Sequence, residues 1–367
     1  MKWSWRIGRV AGIDVYLHAT FLILLAWVGV SYYLERHRAA DAARGLAFIC
    51  TLFGIVVLHE LGHALTARRF GIRTRDITLL PIGGVARLER MPEDPKQELL
   101  VALAGPAVNV VLAAFLFAIL APAALQNVHL VGGDFLAKLF MVNLGLAAFN
   151  LIPAFPMDGG RVLRALLAMR MDYTRATDIA ARIGQGLALV FGAVGLFWNP
   201  FLIFIALFVW MGAAAEAGMV QMRSALGGIP IRRVMITDCQ TLAPHEPLAR
   251  AVEHILAGFQ QDFPVVEDGQ VVGVLTRHDL MTALAQRGPQ APVGEVMRRE
   301  FQTADPAEMT ETVFARLQEC HCRSLPVVQG GWLVGIVTAD NVGEFLMIQS
   351  ALGKSVPPRL APPPPPR

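Results

Sequence analysis

Between Leu58 and Ala67 the chain reads L-H-E-L-G-H-A-L-T-A. His59 and His63 stand four apart, so a helix places them one turn above each other on one face, where two imidazoles can grip a single metal ion. Glu60 is their neighbour, and a carboxylate beside such a pair can take a proton from a metal-bound water, leaving a hydroxide nucleophile at neutral pH. A third ligand has to come from elsewhere, and Asp158 is the candidate. It follows Pro153 and Pro156 and precedes Gly159 and Gly160, a stretch that breaks a helix and delivers a carboxylate on an irregular turn. Two histidines and one aspartate make an open tetrahedral zinc site whose fourth position is left to water. His18 could approach the same ion, but a histidine hydrogen-bonded for structural reasons is the simpler account.

The elements that carry these residues are apolar. The run over 45–67 has no charge between Leu46 and Leu58 and is long enough to cross the roughly 30 Å core of a bilayer. The metal pair therefore lies inside the membrane, near the basic end marked by Arg68 and Arg69, and ionisable groups at that depth are costly enough to mark function. Further apolar runs over 15–33, 98–125, 135–152, 179–197 and 200–217 predict a polytopic α-helical membrane domain over 1–220 with about six transmembrane helices. The stretch 77–87 is too short to span and is broken by Pro81 and the Gly83-Gly84 pair. It predicts a re-entrant β-hairpin dipping towards the membrane, whose edge could pair with an extended substrate; a surface hairpin without function fits the same periodicity.

Charge sets the orientation. Segment 68–97 carries seven Lys or Arg and segment 161–182 five, whereas the connections 121–134 and 198–200 carry none. The positive-inside rule then places both termini in the cytoplasm, with the 35–44 loop dissenting. The net charge of +3 is small and its arginines sit in loops, a topological signal and not a nucleic-acid footprint. Cys50, Cys239, Cys320 and Cys322 form no disulfide framework or metal-binding spacing, and read as ordinary thiols.

Beyond the membrane domain the chain repeats itself at an offset of 62. Val234-Met235 recurs as Val296-Met297, Pro264-Val265-Val266 as Pro326-Val327-Val328, and Gly273 and Thr276 as Gly335 and Thr338. The expected units are soluble α/β modules over 230–288 and 292–350, followed by an extended, disordered proline-rich tail over 355–367.

His59-Glu60-Leu61-Gly62-His63, Gly105-Pro106-Ala107-Val108-Asn109 and Asn150-Leu-Ile-Pro153 through Asp158-Gly159 resemble the motifs of the site-2 protease family of intramembrane zinc metalloproteases. The repeat resembles a tandem pair of cystathionine-β-synthase (CBS) domains, an arrangement seen in one branch of that family. The resemblance implies one zinc per chain on His59, His63 and Asp158, with Glu60 activating the attacking water. It also implies that Asn150 and the Gly83-Gly84 hairpin hold an unwound transmembrane protein substrate, commonly a membrane-bound regulator. A bacterial or archaeal plasma membrane is the expected location. CBS pairs elsewhere often bind ATP, ADP or AMP through a Thr or Ser and an Asp three residues on. Thr276 and Asp279 fit that pattern, while Thr338 is followed by Asn341 at the aspartate position. Nucleotide regulation and a structural or homodimerising role for the pair both stand open.

A serine protease is disfavoured because Ser31 is the sole serine between Trp5 and Arg223, and an aspartyl mechanism lacks a partner for Asp134. The competing class is a CBS-gated channel or transporter, which needs a polar conduction path through several helices; here the polar groups of the membrane runs converge on one metal constellation.

Overall fold

Long stretches without charge decide the first half of the chain. A computed structural model describes residues 3–81, 83–89, 92, 94–120, 135–258, 260–320 and 322–352, which divide into two units at Val220 and Gln221. The connection 121–134 with Asp134, residue His321 and the tail over 355–367 lie outside the described residues.

Every apolar run of the first unit contains a helix: α1 (Ala19–Arg36), α2 (Ala39–Arg69), α3 (Pro95–Ile119), α4 (Phe135–Asn150), then, after the short α5 (Asp158–Ala168), α6 (Tyr173–Phe197) and α7 (Phe201–Leu226). Among the described residues α2, α3, α6 and α7 are long and apolar enough to cross a membrane, and the apolar parts of α1 and α4 are shorter. Helix ends follow local chemistry. Asp94 caps α3 by accepting from Lys96 N at 2.8 Å, with Pro95 at the first helical position. α2 closes on Arg68 and Arg69, whose charges complement the negative end of its dipole. A Cβ at Gly62 would meet the Ala104 carbonyl at 2.7 Å, so the glycine inside the histidine motif is what lets α2 and α3 approach.

The first apolar run departs from expectation. Its 15–18 portion is strand, because Ile13, Val15 and Leu17 alternate with Asp14, Tyr16 and His18 at the strand period of two. Strands β1 (Ser4–Val10) and β2 (Ile13–His18) form a hairpin, and β3 (Thr74–Leu80) and β4 (Gly83–Leu88) complete a sheet of order β1-β2-β3-β4, with β2 and β3 parallel. Its apolar face buries Ile13 and Ile77 against Leu61 and Ala64 of α2, and Val15 and Leu79 against Phe21 and Phe53. The other face pairs Asp76 with Arg87. The 77–87 stretch forms a hairpin, with β4 at the sheet edge and Gly83 at φ +141°, a region L side chains rarely enter. His18 takes the structural role: its Nδ1 accepts from Thr20 N at 3.3 Å and caps α1.

In the second unit the 62-residue offset becomes two copies of one α/β motif: α8 (Leu248–Ala257), β5 (Phe263–Glu267), β6 (Gln270–Leu275) and α9 (Arg277–Arg287), then α10 (Thr310–Glu319), β7 (Ser324–Gln329), β8 (Trp332–Thr338) and α11 (Ala339–Ala351). The strands join in one sheet of order β5-β6-β8-β7. Each copy keeps its own core, Phe263, Leu275 and Leu280 in one and Leu317, Leu325 and Val337 in the other. Equivalent positions meet where the copies face each other: Ser324 Oγ donates to Asp262 at 2.9 Å across a separation of 62 residues. Cys320 and Cys322 are joined as a disulfide, which corrects their reading as two thiols.

Candidate metal centre and its cavity

Helix α2 delivers His59, Glu60 and His63 from one face, and α3 lies against it to hold the two rings. His59 Nδ1–H donates to Asn109 Oδ1 at 2.6 Å and His63 Nδ1–H donates to the Val101 carbonyl at 2.7 Å. With both Nδ1 atoms protonated, both Nε2 lone pairs are free and aim at the same point. Asp158 Oδ2 arrives there too, 3.2 Å from His59 Nε2 and 3.1 Å from His63 Nε2, while the two Nε2 atoms are 3.2 Å apart. All three residues are buried.

Three lone-pair donors this close, out of water, repel one another unless a cation lies between them. Three corners of a tetrahedron with bonds of about 2.0–2.1 Å are about 3.3 Å apart, close to the observed separations, and the nitrogen and carboxylate donors suit zinc. Gly105 of α3 makes the room: a Cβ there would lie 2.1 Å from His63 Nε2 and 2.6 Å from His59 Nε2. The residues present therefore fit a tetrahedral zinc ion.

Asp158 reaches this point differently from the expected irregular turn. The turn over 151–157 ends one residue earlier, and Asp158 is the first residue of α5 with Met157 as its cap. The break lies before the ligand because Gly159 and Gly160 must start the helix directly against backbone: a Cβ at either would meet main-chain atoms of residues 151–155 at 2.2–2.6 Å.

The donors open on a cavity of about 420 Å³. Glu60 lines it from α2, Gly83 and Gly84 from the hairpin, Asn150 from the end of α4, Arg161 from α5 and Phe208 from α7. Glu60 Oε2 accepts from Ala86 N at 3.2 Å, so the base candidate is tied to the outer edge of β4. The same contact explains Gly84, where a Cβ would meet Glu60 Cγ at 2.9 Å. Asn150 donates its side-chain amide to the Leu146 carbonyl at 3.0 Å within its own helix. The structure thus gathers His59, Glu60, His63, Asp158, Gly83, Gly84 and Asn150 around one space.

The four candidate nucleotide residues are not gathered in this way. In the second unit a cleft of about 700 Å³ is lined by Thr276, Arg277, Arg298 and Arg323 among others. Thr276 caps α9, its Oγ1 accepting from Asp279 N at 3.2 Å and donating to Asp279 Oδ2 at 2.6 Å. Arg298 grips the same carboxylate with both arms, at 2.6 and 3.0 Å. Burial pushes the Asp279 carboxyl up, but the hydrogen bonds from Arg298 and Thr276 and the guanidinium charge outweigh it and hold the group below the usual carboxylate range. Thr338 and Asn341 form the equivalent cap of α11 and stand outside the lining of this cleft.

Sequence reading missed the residues that hold the histidines. The signal for Asn109 was present, since an amide in an apolar run needs a partner, and Gly105 four residues before it was the only other hint. Val101 acts through its carbonyl, which no side-chain pattern reveals.

A buried His-His-Asp donor set with an adjoining glutamate, its histidines on a long apolar helix, suits a metal-dependent hydrolase. Comparison with known proteins agrees. The model of Peptidase family M50 matches residues 47–132 and 126–191, and the CBS domain model matches 231–286 and 293–347. A zinc metalloprotease of Methanocaldococcus jannaschii is 31% identical over 360 residues, covering 95% of this chain and 97% of that protein. Rip3 of Mycobacterium tuberculosis is 30% identical over 368 residues, covering 93% and 92%. The solved site-2 protease from Methanocaldococcus jannaschii is 39% identical, covers 59% of this chain and 95% of its own, and superposes with a TM-score of 0.44. The chain belongs to Peptidase family M50, the site-2 protease family of zinc metalloproteases, and carries a pair of CBS domains. That membership places it among proteases and against the gated-transporter alternative.

Proposed function

We propose that this protein is an intramembrane endopeptidase that hydrolyses a peptide bond in or near a transmembrane segment of a membrane-bound protein. The observation that carries the reading is the shared cavity: Glu60, the three donor atoms and the outer edge of β4 border one space of about 420 Å³. His59, His63 and Asp158 would hold the zinc ion, with Asn109 and the Val101 carbonyl fixing the ring orientations. Zinc held there would acidify a water into the neutral range and polarise the scissile carbonyl. Glu60 accepts the water proton and returns it to the departing amine nitrogen.

A transmembrane helix hides its backbone groups in its own hydrogen bonds, so the substrate must unwind before attack. The edge of β4 offers replacement partners by strand pairing, Gly83 carries no side chain to bar an extended segment, and Gly84 admits Glu60 beside the strand. Asn150 faces the segment from the α4 wall, while Val56, Leu146, Phe149 and Phe208 exclude water. In this reading α1 and α4 also span, giving six transmembrane helices in a bacterial or archaeal plasma membrane, with the hairpin re-entrant and both termini cytoplasmic.

Elemental analysis of detergent-purified protein tests the ligand set. About one zinc per chain is expected in the wild type, with most of it lost in His59→Ala and in Asp158→Ala. Full retention in Asp158→Ala removes that residue from the set.

The CBS pair adds a regulatory arm to the proposal. Three arginines line its cleft beside Asp262 and Glu300, a balance that suits a phosphate-bearing adenine nucleotide bound near Thr276 and Asp279. The pair could also join two copies of the chain. Calorimetry of the full-length protein with AMP, ADP and ATP is expected to show saturable heat that Asp279→Ala reduces by about tenfold or more; no heat with any of the three overturns this arm.

A further inference from the structure

The geometry points to Arg164 as a positioning residue for the metal centre: its buried ion pair with Glu98 clamps α5 to α3 and so sets where Asp158 stands relative to the two histidines. The inference rests on the ligand set proposed above.

Arg164 is 0% exposed, an extreme position for a guanidinium. Its Nε donates to Glu98 Oε1 at 2.8 Å, its Nη2 donates to the same oxygen, and its Nη1 donates to Glu216 of α7. The guanidinium carbon lies 5.1 Å from the Phe155 ring centre and 4.9 Å from that of Tyr173, so aromatic faces complete its surroundings. Four helices and the 151–157 turn therefore converge on one side chain.

What these partners also hold makes the cluster more than packing. Glu98, Val101, Gly105 and Asn109 fall at i, i+3, i+7 and i+11 of α3, which is one helical face. That face carries the carbonyl holding His63, the gap that admits both rings, and the amide holding His59. On the other side, Asp158 opens α5 and Arg164 lies six residues on in a helix of only eleven. Apolar packing also holds this short helix, with Leu163 and Leu167 against the cluster of Phe155 and Ala180, but metal ligands have to be held to within about 0.5 Å, and a charge-assisted, directional contact adds the geometric specificity that apolar packing lacks. The Glu98–Arg164 pair joins the face that orients two ligands to the helix that supplies the third. Phe155, buried beneath the guanidinium, extends the hold to the turn that leads into Asp158.

Breaking a buried pair from one side is strongly destabilising, so the test uses conservative changes and reads metal affinity directly. The zinc Kd of full-length protein in detergent is measured by chelator competition for the wild type, Arg164→Lys, Glu98→Gln and Glu216→Gln, each with its helicity, elution volume and Tm. Lysine keeps the charge and cannot serve as a fork, and Arg164→Lys is expected to bind zinc about 10- to 100-fold more weakly. Glu98→Gln weakens the same α3–α5 contact and is expected to lose several-fold, which keeps the test open should the lysine variant not fold. Glu216→Gln leaves that contact in place and is expected to stay within about threefold of the wild type. Lowered Tm with unchanged zinc affinity in Arg164→Lys and Glu98→Gln overturns the inference, as does an equal loss in Glu216→Gln. A wild type that binds no zinc overturns the ligand set itself, an outcome distinct from wild-type binding that the Arg164 and Glu98 variants leave untouched.

Discussion

Glu60→Gln is expected to keep its zinc and lose cleavage of a reconstituted transmembrane substrate by about two to four orders of magnitude, the usual worth of a positioned general base. Glutamine matches glutamate in volume, and its carbonyl oxygen can still accept from Ala86 N, the contact that ties Glu60 to β4. None of the three metal donors is touched. What disappears is the acceptor for the water proton. Single-turnover cleavage in proteoliposomes, run beside elemental analysis, separates the two effects. A variant that keeps both zinc and the wild-type rate would place the base elsewhere; one that loses zinc would mean that the Glu60 charge helps to hold the ion.

Gly105→Ala carries the second large effect. Alanine in a helix interior is favoured over glycine by about 1 kcal/mol, so α3 itself gains. The added methyl, however, would lie 2.1 Å from His63 Nε2 and 2.6 Å from His59 Nε2, where no carbon can sit. The rings cannot retreat without breaking the hydrogen bonds to the Val101 carbonyl and Asn109. The expected outcome is zinc affinity reduced on the order of 100-fold, with a Tm at or below that of the wild type, because overpacking costs about 1–3 kcal/mol against the about 1 kcal/mol that alanine gives the helix. Gly145→Ala in α4 is the control, since a Cβ there meets nothing within 4 Å, and it should leave zinc unchanged. Wild-type zinc affinity in Gly105→Ala would show that the cradle can relax and that the rings are held less firmly than their hydrogen bonds imply.

Both predictions divide the molecule into what local sequence rules govern and what they do not. The helices of the first unit follow from uncharged length, the His59–His63 pair from a spacing of four, and the CBS copies from an offset of 62. Asp158 was found because helix breakers surround it, although the residues that break the helix lie before it and Gly159 and Gly160 begin a new one. The hairpin was readable from Pro81, Gly83 and Gly84, but its place at the edge of a four-stranded sheet was not, because β2 and β3 pair in parallel across about sixty residues. The sequence by itself determined which residues could bind metal, which segments are helical and that the second half is duplicated, since each is encoded by neighbours within a turn or by direct repetition. Only the tertiary structure decided that Asn109 and the Val101 carbonyl orient the rings, that Gly105 leaves the gap between them, that Ala86 reaches Glu60 and that Arg164 joins α5 to α3. Those contacts bridge separations of 26 to 66 residues, and chain periodicity carries no signal over such distances. They are set by how closely packed helices and strands can approach, and so become legible only once the chain has folded.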